Sequence, residues 1–350
     1  MNKIIKEDLK IICSSDLDWE RFKDSTVLIS GAYGMLSSYM VFTLMYLNEI
    51  CPHLNIHIIA LGRNYVKLKK RFHEYLKNSL FSIICGDVAN KVTSNGNVDF
   101  IIHGARPASS QFYGVDPISI ISANVLGTNN LLELAKEKKS KGFLFFSSGE
   151  VCGKINKESI AEEDGGFLDP TDIRNCYGES KRMAENMCKC WSHQHHVPTF
   201  VVRPEHTYGP TMDLENDRRV FAEFVSDIVN HRNITIKSDG LAVRTFCYIG
   251  DATDGFFRAL LKGATGESYN VGNYAGRMSI SDLAHLLVSL FPDKHLKIVY
   301  QDRGDTEAYL ENKHKVRPML STAKLEALGY KCKTSVRDGF NRTIKSYLCG

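Results

Sequence analysis

Tyr177 and Lys181, in Tyr177-Gly178-Glu179-Ser180-Lys181, place a phenol and an ammonium at positions i and i+4. On a helix these two share a face. A cation beside a tyrosine favours its phenolate, which suits the pair to moving a proton on and off a substrate oxygen. About thirty residues earlier, Ser147-Ser148-Gly149-Glu150 follows an apolar run that reads as a strand. A hydroxyl at Ser148 can bond the same oxygen that Tyr177 serves. Glu150 is either a second acid/base or a carboxylate capping the turn.

A second constellation handles phosphate. Gly31-Ala32-Tyr33-Gly34-Met35-Leu36-Ser37 joins a short β-branched run to an apolar helix. Gly31 permits the tight turn. Gly34 lets backbone approach a pyrophosphate at the helix N-terminus, where unpaired N–H groups and the dipole favour anions. Ser37 stands where a third glycine is usual and is small enough for close packing. The next strand ends in Ala60-Leu61-Gly62-Arg63-Asn64, with Lys67, Lys69 and Lys70 beyond. NAD sites usually place a carboxylate at this tip, whereas a 2′-phosphate calls for arginine. Arg63 therefore points to NADP(H), with NAD(H) as the alternative. Asp87 ends the third strand, where it can accept from an adenine amino group or cap the following turn.

The elements that must hold these residues alternate in type. Thr26–Ser30, Ile56–Leu61, Phe81–Cys85, Phe100–His103, Gly142–Ser147 and Thr199–Arg203 read as strands separated by helix-length segments. Nearly continuous apolar strands require helices on both faces. The expected fold is α/β, a doubly wound parallel sheet of the Rossmann type with a smaller C-terminal substrate-binding part. Residues 1–24 read as an extension, 25–203 as the dinucleotide-binding domain and 204–350 as mainly the substrate part, with about 246–262 returning to the sheet. Helices are expected at about 220–230 and 280–290, and one from Tyr177 to about Trp191.

Composition narrows the partners. The 350 residues are 43% hydrophobic and 24% charged with a formal charge of +4, which suits a globular chain with a proper core and excludes disorder. That charge is spread along the chain, so neither nucleic acid nor an anionic membrane is expected as partner. Met35–Leu47 falls short of the ~20 apolar residues that span a bilayer and reads as a buried helix. The charged start, without a signal-peptide core, predicts a cytoplasmic protein. The ten cysteines are scattered, which predicts reduced thiols. Cys188, Cys190, His193, His195 and His196 lack paired ligand spacing, so no metal site is expected.

Together these residues resemble the extended short-chain dehydrogenase/reductases, in their branch of nucleotide-sugar epimerases, dehydratases, ketoreductases and decarboxylases. The resemblance runs over roughly residues 25–345. It rests on the glycine loop, Asn124 in Asn124-Val125-Leu126-Gly127-Thr128, Ser147-Ser148, Tyr177 with Lys181, Arg203-Pro204 before Tyr208-Gly209-Pro210, Arg244-Thr245-Phe246, and Tyr269-Asn270-Val271-Gly272-Asn273, all in family order. Pro107-Ala108-Ser109, Tyr113, Arg174-Asn175-Cys176 and Asn216-Asp217-Arg218-Arg219-Val220 look most like UDP-glucuronate decarboxylases.

The resemblance implies hydride transfer at sugar C4. Tyr177 would be the acid/base at O4, Lys181 would hold the nicotinamide ribose, Ser148 would orient O4 and Asn124 would support the active-site helix. It implies further cofactor contacts from Tyr33, Met35, Val88, Ala105 and Arg203. Substrate contacts would come from Ser109, Tyr113 and His206, and from Arg219 and Arg244 meeting a diphosphate or an acidic substituent. Family members often dimerise through the helices near Asn124 and Tyr177, so a homodimer is implied. Three departures stand out. Gly149 removes the acid that 4,6-dehydration needs, Cys152 replaces a usual tyrosine, and Glu205-His206 replaces the usual Phe-Asn. The leading expectation is a reductase of a nucleotide-linked 4-keto-6-deoxy sugar, such as dTDP-4-keto-6-deoxyglucose, using NADPH for bacterial surface polysaccharide (O-antigen or capsule). Redox-neutral UDP-glucuronate decarboxylation or 4-epimerisation with tightly held NAD is the alternative, and a non-catalytic dinucleotide-binding regulator the distant one.

Overall fold

A computed structural model describes residues 1–105, 113–301 and 318–348. Along the chain run α1 (Lys3–Cys13), β1 (Thr26–Ser30), α2 (Met35–Ile50), β2 (His57–Gly62), α3 (Tyr65–Arg71), β3 (Phe81–Cys85) and β4 (Phe100–His103). They are followed by α4 (Pro117–Asn124), α5 (Leu126–Lys138), β5 (Gly142–Phe146), β6 (Ser159–Ile160), α6 (Cys176–His195) and β7 (Thr199–Pro204). The expected strands all form, with ends shifted by a residue at most. The main sheet has the order β3-β2-β1-β4-β5-β7 with every pair parallel, which is the doubly wound arrangement.

Alternation along each strand feeds two cores. Val27 and Ile29 enter the core under α2, while Leu28 between them enters the one under α5 and α6. Likewise Leu144 and Phe146 face one side of the sheet, and Phe143 and Phe145 the other. Helix α2 is buried from Ser37 to Leu47. The polar residues that interrupt its apolar run are satisfied locally: Ser38 Oγ donates to the Met35 carbonyl, Thr43 Oγ1 to that of Tyr39 and Ser37 Oγ to that of Ser30.

Beyond β7 the chain forms β8 (His206–Tyr208), α7 (Val220–Val229), β9 (Ile234–Ile236), β10 (Val243–Tyr248) and α8 (Ile249–Lys262). Then come β11 (Glu267–Val271), β12 (Arg277–Ser279), α9 (Ile280–Leu290), β13 (Ile298–Tyr300), β14 (Met319–Leu320), α10 (Ala323–Glu326) and α11 (Val336–Leu348). Strand β11 adds in parallel to the edge of the main sheet beside β7 as its seventh strand, and α8 packs across β5 and β7. A three-stranded sheet of β12-β10-β8 and the pairs β13-β9 and β14-β6 build the remainder.

The first helix is part of this body. Asp8 of α1 is buried, accepting from Tyr39 Oη (3.0 Å), Tyr248 Oη (2.6 Å) and Arg342 Nη2 (2.7 Å). Burial raises its carboxyl above the ordinary value despite those partners. The cysteines among the described residues are free thiols, and no described helix is long and apolar enough to cross a membrane.

Candidate active site

The phosphate loop is shaped by close backbone contact. Gly31 has φ +61°, and a Cβ there would lie 2.5 Å from the Gly104 carbonyl and 2.6 Å from Ala105 Cα. No other residue type fits such a crossing without strain. Gly34 caps α2, with Met35 opening its first turn, and Tyr33 leans on Gly62 with Lys67 Nζ 6.0 Å from its ring. Behind the loop, Ser30 Oγ and His103 Nδ1 are 2.7 Å apart, and Gly104 N donates to Ser30 Oγ at 3.2 Å. His103 is buried. Burial first, and the Lys181 charge second, push its imidazole down to about 3, so it is neutral.

At the strand tips a cavity of about 240 Å³ is lined by Arg63, Asp87, Ala89, Ile118, Ser119, Ser122 and Ala123. Arg63 Nη1 and Asp87 Oδ2 are 3.6 Å apart across it, while Asp87 Oδ1 caps its own turn by accepting from Ala89 N (3.0 Å). Asp87 thus caps its turn, one of the two roles its sequence position allowed, and also lines the pocket. Val88 is buried against Gly127. The glycine crossing at the start of α2 and this pocket at the ends of β2 and β3 fit the two halves of a dinucleotide.

The Tyr177/Lys181 pair stands on α6. Tyr177, in the first turn of α6, and Lys181, one turn on, are both buried. Lys181 Nζ donates to the Phe146 carbonyl at 2.6 Å and lies 4.2 Å from the Phe145 ring centroid. That carbonyl ends β5, one residue ahead of Ser147-Ser148. Ser148 Oγ accepts from Glu150 N at 3.3 Å, capping the short 3-10 turn Gly149–Cys152. Asn124 Nδ2 donates to Ser180 Oγ (2.9 Å), and Ser180 Oγ donates to the Tyr177 carbonyl (3.0 Å). Asn124 therefore braces α6 from the junction of α4 and α5. The Tyr113 ring stacks on that of Tyr177 at 5.2 Å and 20°.

The arginines divide. Arg203, expected at the cofactor, directs Nε and Nη2 to Glu185 (2.9 and 2.7 Å) and Nη1 to the Glu162 carbonyl, joining β7 to α6. Arg219, at the start of α7, is paired with Asp217 and lies 4.7 Å from the Phe221 ring centroid. Arg244 is on β10, half-buried, with Nη1 donating to the Val243 carbonyl. His206 opens β8 between the rings of Phe221 and Phe246. Ser109 lies outside the described residues. Sequence reasoning missed the Ser30–His103 pair and the Phe146 carbonyl as the anchor of Lys181. A histidine ending the fourth strand, opposite the residue before Gly31, was the available signal for the first. Among the described residues no three His, Cys, Asp or Glu side chains gather as metal ligands.

A Rossmann-type sheet, a glycine crossing at its first turn and a buried Tyr/Lys pair facing the next strand ends define a class of dinucleotide-dependent proteins. The family model described as the NAD dependent epimerase/dehydratase family matches residues 27–272, and the chain belongs to that family. UDP-glucuronic acid decarboxylase 3 of Arabidopsis thaliana is 31% identical over 314 residues, covering 89% of this chain and 86% of the relative. UDP-glucuronic acid decarboxylase 1 of Danio rerio is 29% identical over 323 residues, covering 92% of this chain and 72% of the relative. Among solved structures, the UDP-glucuronic acid 4-epimerase of Bacillus cereus in complex with UDP-glucuronic acid and NAD superposes with a TM-score of 0.75 at 22% identity, covering 93% of this chain and 99% of that one. The dTDP-glucose 4,6-dehydratase of Bacillus anthracis, in complex with NAD, gives 0.74 at 20%, with 93% and 97% covered. These likenesses carry the fold.

Proposed function

We propose that the chain works at C4 of a nucleotide-diphosphate sugar, with a bound NAD supplying hydride acceptance and donation. The observation that carries this is the buried Tyr177/Lys181 pair, locked through the Phe146 carbonyl to the strand end from which Ser148 projects. In this reading Tyr177 takes the O4 proton as C4 is oxidised and returns it when C4 is reduced. Lys181 holds positive charge beside that phenol and is kept in place by Phe146, while Ser148 orients O4. Gly31, Gly34 and the N-terminus of α2 hold the pyrophosphate, and the Arg63/Asp87 pocket takes the adenosine end. Arg244 and Arg219 are the cations offered to the diphosphate or an acidic sugar substituent.

The names of the curated relatives favour UDP-glucuronate, decarboxylated without net oxidation. A net reduction of a 4-keto-6-deoxy sugar with NADPH is the second reading, favoured by Arg63 at the tip of β2, where no carboxylate stands to meet a ribose 2′-hydroxyl. Purified protein given UDP-glucuronate and NAD+, and separately dTDP-4-keto-6-deoxyglucose and NADPH, separates them. Carbon dioxide release with no net change in nicotinamide absorbance supports the first. Loss of NADPH absorbance with the keto sugar supports the second, and silence in both sinks the proposal.

We also read a homodimer from exposed apolar side chains on neighbouring helices. Ile118, Ile121 and Leu126 on α4 and α5, and Met183 on α6, face solvent in the single chain.

A further inference from the structure

Glu205 lies in the link between β7 and β8, where the main sheet hands over to the substrate part. It is partly buried, and its Oε1 accepts from the backbone N–H of Leu320 at 2.9 Å. Its other oxygen lies against Gly272, where an added Cβ would overlap it. A glycine at 272 is what leaves room for the carboxylate. Leu320 belongs to β14, which pairs in parallel with β6 and is held from the other side by Asn270 Nδ2 donating to the Ser321 carbonyl at 3.0 Å. With Val151, Cys152 and Ile160, the Leu320 side chain forms a small core apart from the two main ones. A Cβ on Gly149 would lie 3.1 Å from Leu320 Cδ1, so Leu320 presses on the backbone between Ser148 and Glu150.

We propose that Glu205 is a positioning residue for the candidate active site: by holding the Leu320 N–H it seats Leu320 beneath Gly149 and fixes the turn that carries Ser148 and Glu150. Nothing in the chain's local pattern announces this, since Glu205 and Leu320 are separated by 115 residues. The link is also sensitive to protons. Burial pushes the Glu205 carboxyl up to about 7, against the lowering effect of the Leu320 and Asn273 N–H groups. Titratable groups on the surrounding elements, among the described residues, include Arg203 and His206 on its own segment, Glu158 and Glu162 flanking β6, Glu150 and Cys152 on the supported turn, Arg182 donating to the Val151 carbonyl, and Tyr330. Arg203 is occupied by Glu185 and the Glu162 carbonyl, and Tyr330 Oη donates to the Gly272 carbonyl at 2.9 Å. A carboxyl whose closed-state value is raised favours closure when neutral, so the seat is tightest below the free-carboxyl value of 4.5 and loosens as pH rises from there to about 7.

The catalytic consequence rests on the proposed function; the positioning itself is tested without substrate. Hydrogen exchange of the full chain is followed by mass spectrometry at pH 6 and pH 8, corrected for intrinsic rates, over residues 149–153 and 319–321. Wild-type protection should fall between the two pH values. Glu205→Gln, permanently neutral, should remove that pH dependence, and Glu205→Ala should lower protection about tenfold at both, the scale of one lost hydrogen bond. Protection of 149–153 within about twofold of wild type in Glu205→Ala, or an unchanged pH dependence in Glu205→Gln, overturns the proposal. Once a substrate is turned over, Glu205→Ala should lower kcat about tenfold while cofactor Kd stays within about twofold. An unchanged kcat overturns the link to catalysis. If neither nucleotide sugar reacts with wild type, the functional reading fails, and the exchange result still decides the role of Glu205.

Discussion

Lys181 donates to the Phe146 carbonyl at 2.6 Å, so the helix bearing the proposed acid/base is pinned to the strand end bearing Ser148. The ammonium is buried, and its partner at that bond is a backbone carbonyl. That carbonyl fixes the cation's place one helical turn beyond Tyr177.

This gives the first prediction. Tyr177→Phe should lower kcat by about 10²–10⁴-fold, the usual contribution of a positioned acid/base, with cofactor binding retained. Lys181→Met should lower kcat comparably and also weaken cofactor binding. Steady-state kinetics with fluorescence titration of NAD checks both.

Gly31→Ala should abolish cofactor binding. At φ +61° the new methyl would also enter the Gly104–Ala105 backbone, and a strained left-handed residue costs about 1–3 kcal/mol before any clash. Calorimetric titration with NAD, beside a thermal melt, separates lost binding from lost fold.

His103 predicts a pH effect. Its imidazole is held near 3 in the folded chain against 6.5 when free, so the unfolded chain binds the extra proton between those values. Stability is therefore full above 6.5 and is lost as pH falls toward 3. Urea midpoints at pH 7 and pH 5 should drop less in His103→Gln than in wild type. An equal drop would assign the acid loss to other groups.

How much of this could be read from the chain depends on distance along it. Thr26–Ser30, Gly31 and Gly34 form one local pattern, and Tyr177/Lys181 one helical turn, so strand, loop and pair are all visible as residue types at fixed spacing. The Arg219–Asp217 pair is local too, but its two ends gave no sign of preferring each other to a substrate. Arg203 shows the limit more sharply. Its strand was identified, yet which face its side chain takes, and that Glu185 and Glu162 meet it there, is fixed only once α6 and the loop after β6 are packed. Ser30–His103 and Glu205–Leu320 are likewise products of topology.

The exposed apolar residues of α4–α6 lead to a prediction about assembly. Wild type should run as a dimer in light scattering, and Ile118→Asp combined with Leu126→Asp should run as a monomer, because buried unpaired carboxylates oppose a helix–helix interface. A wild-type monomer would remove the dimer reading.

Asp8→Ala should destabilise the fold by about 3–5 kcal/mol, the cost of leaving Arg342 and two tyrosine hydroxyls without their shared buried acceptor. Denaturant unfolding measures it, and a change below about 1 kcal/mol would make the cluster incidental.

That same cluster has a temporal meaning. Asp8 and Arg342 are 334 positions apart, so the second residue is made long after the first. During synthesis α1 can pack on α2 and α8 before α11 is made, but Asp8 meets its arginine only once α11 has emerged. The clasp is then among the last contacts of the fold to close, sealing with α11 a helix that α2 and α8 already hold.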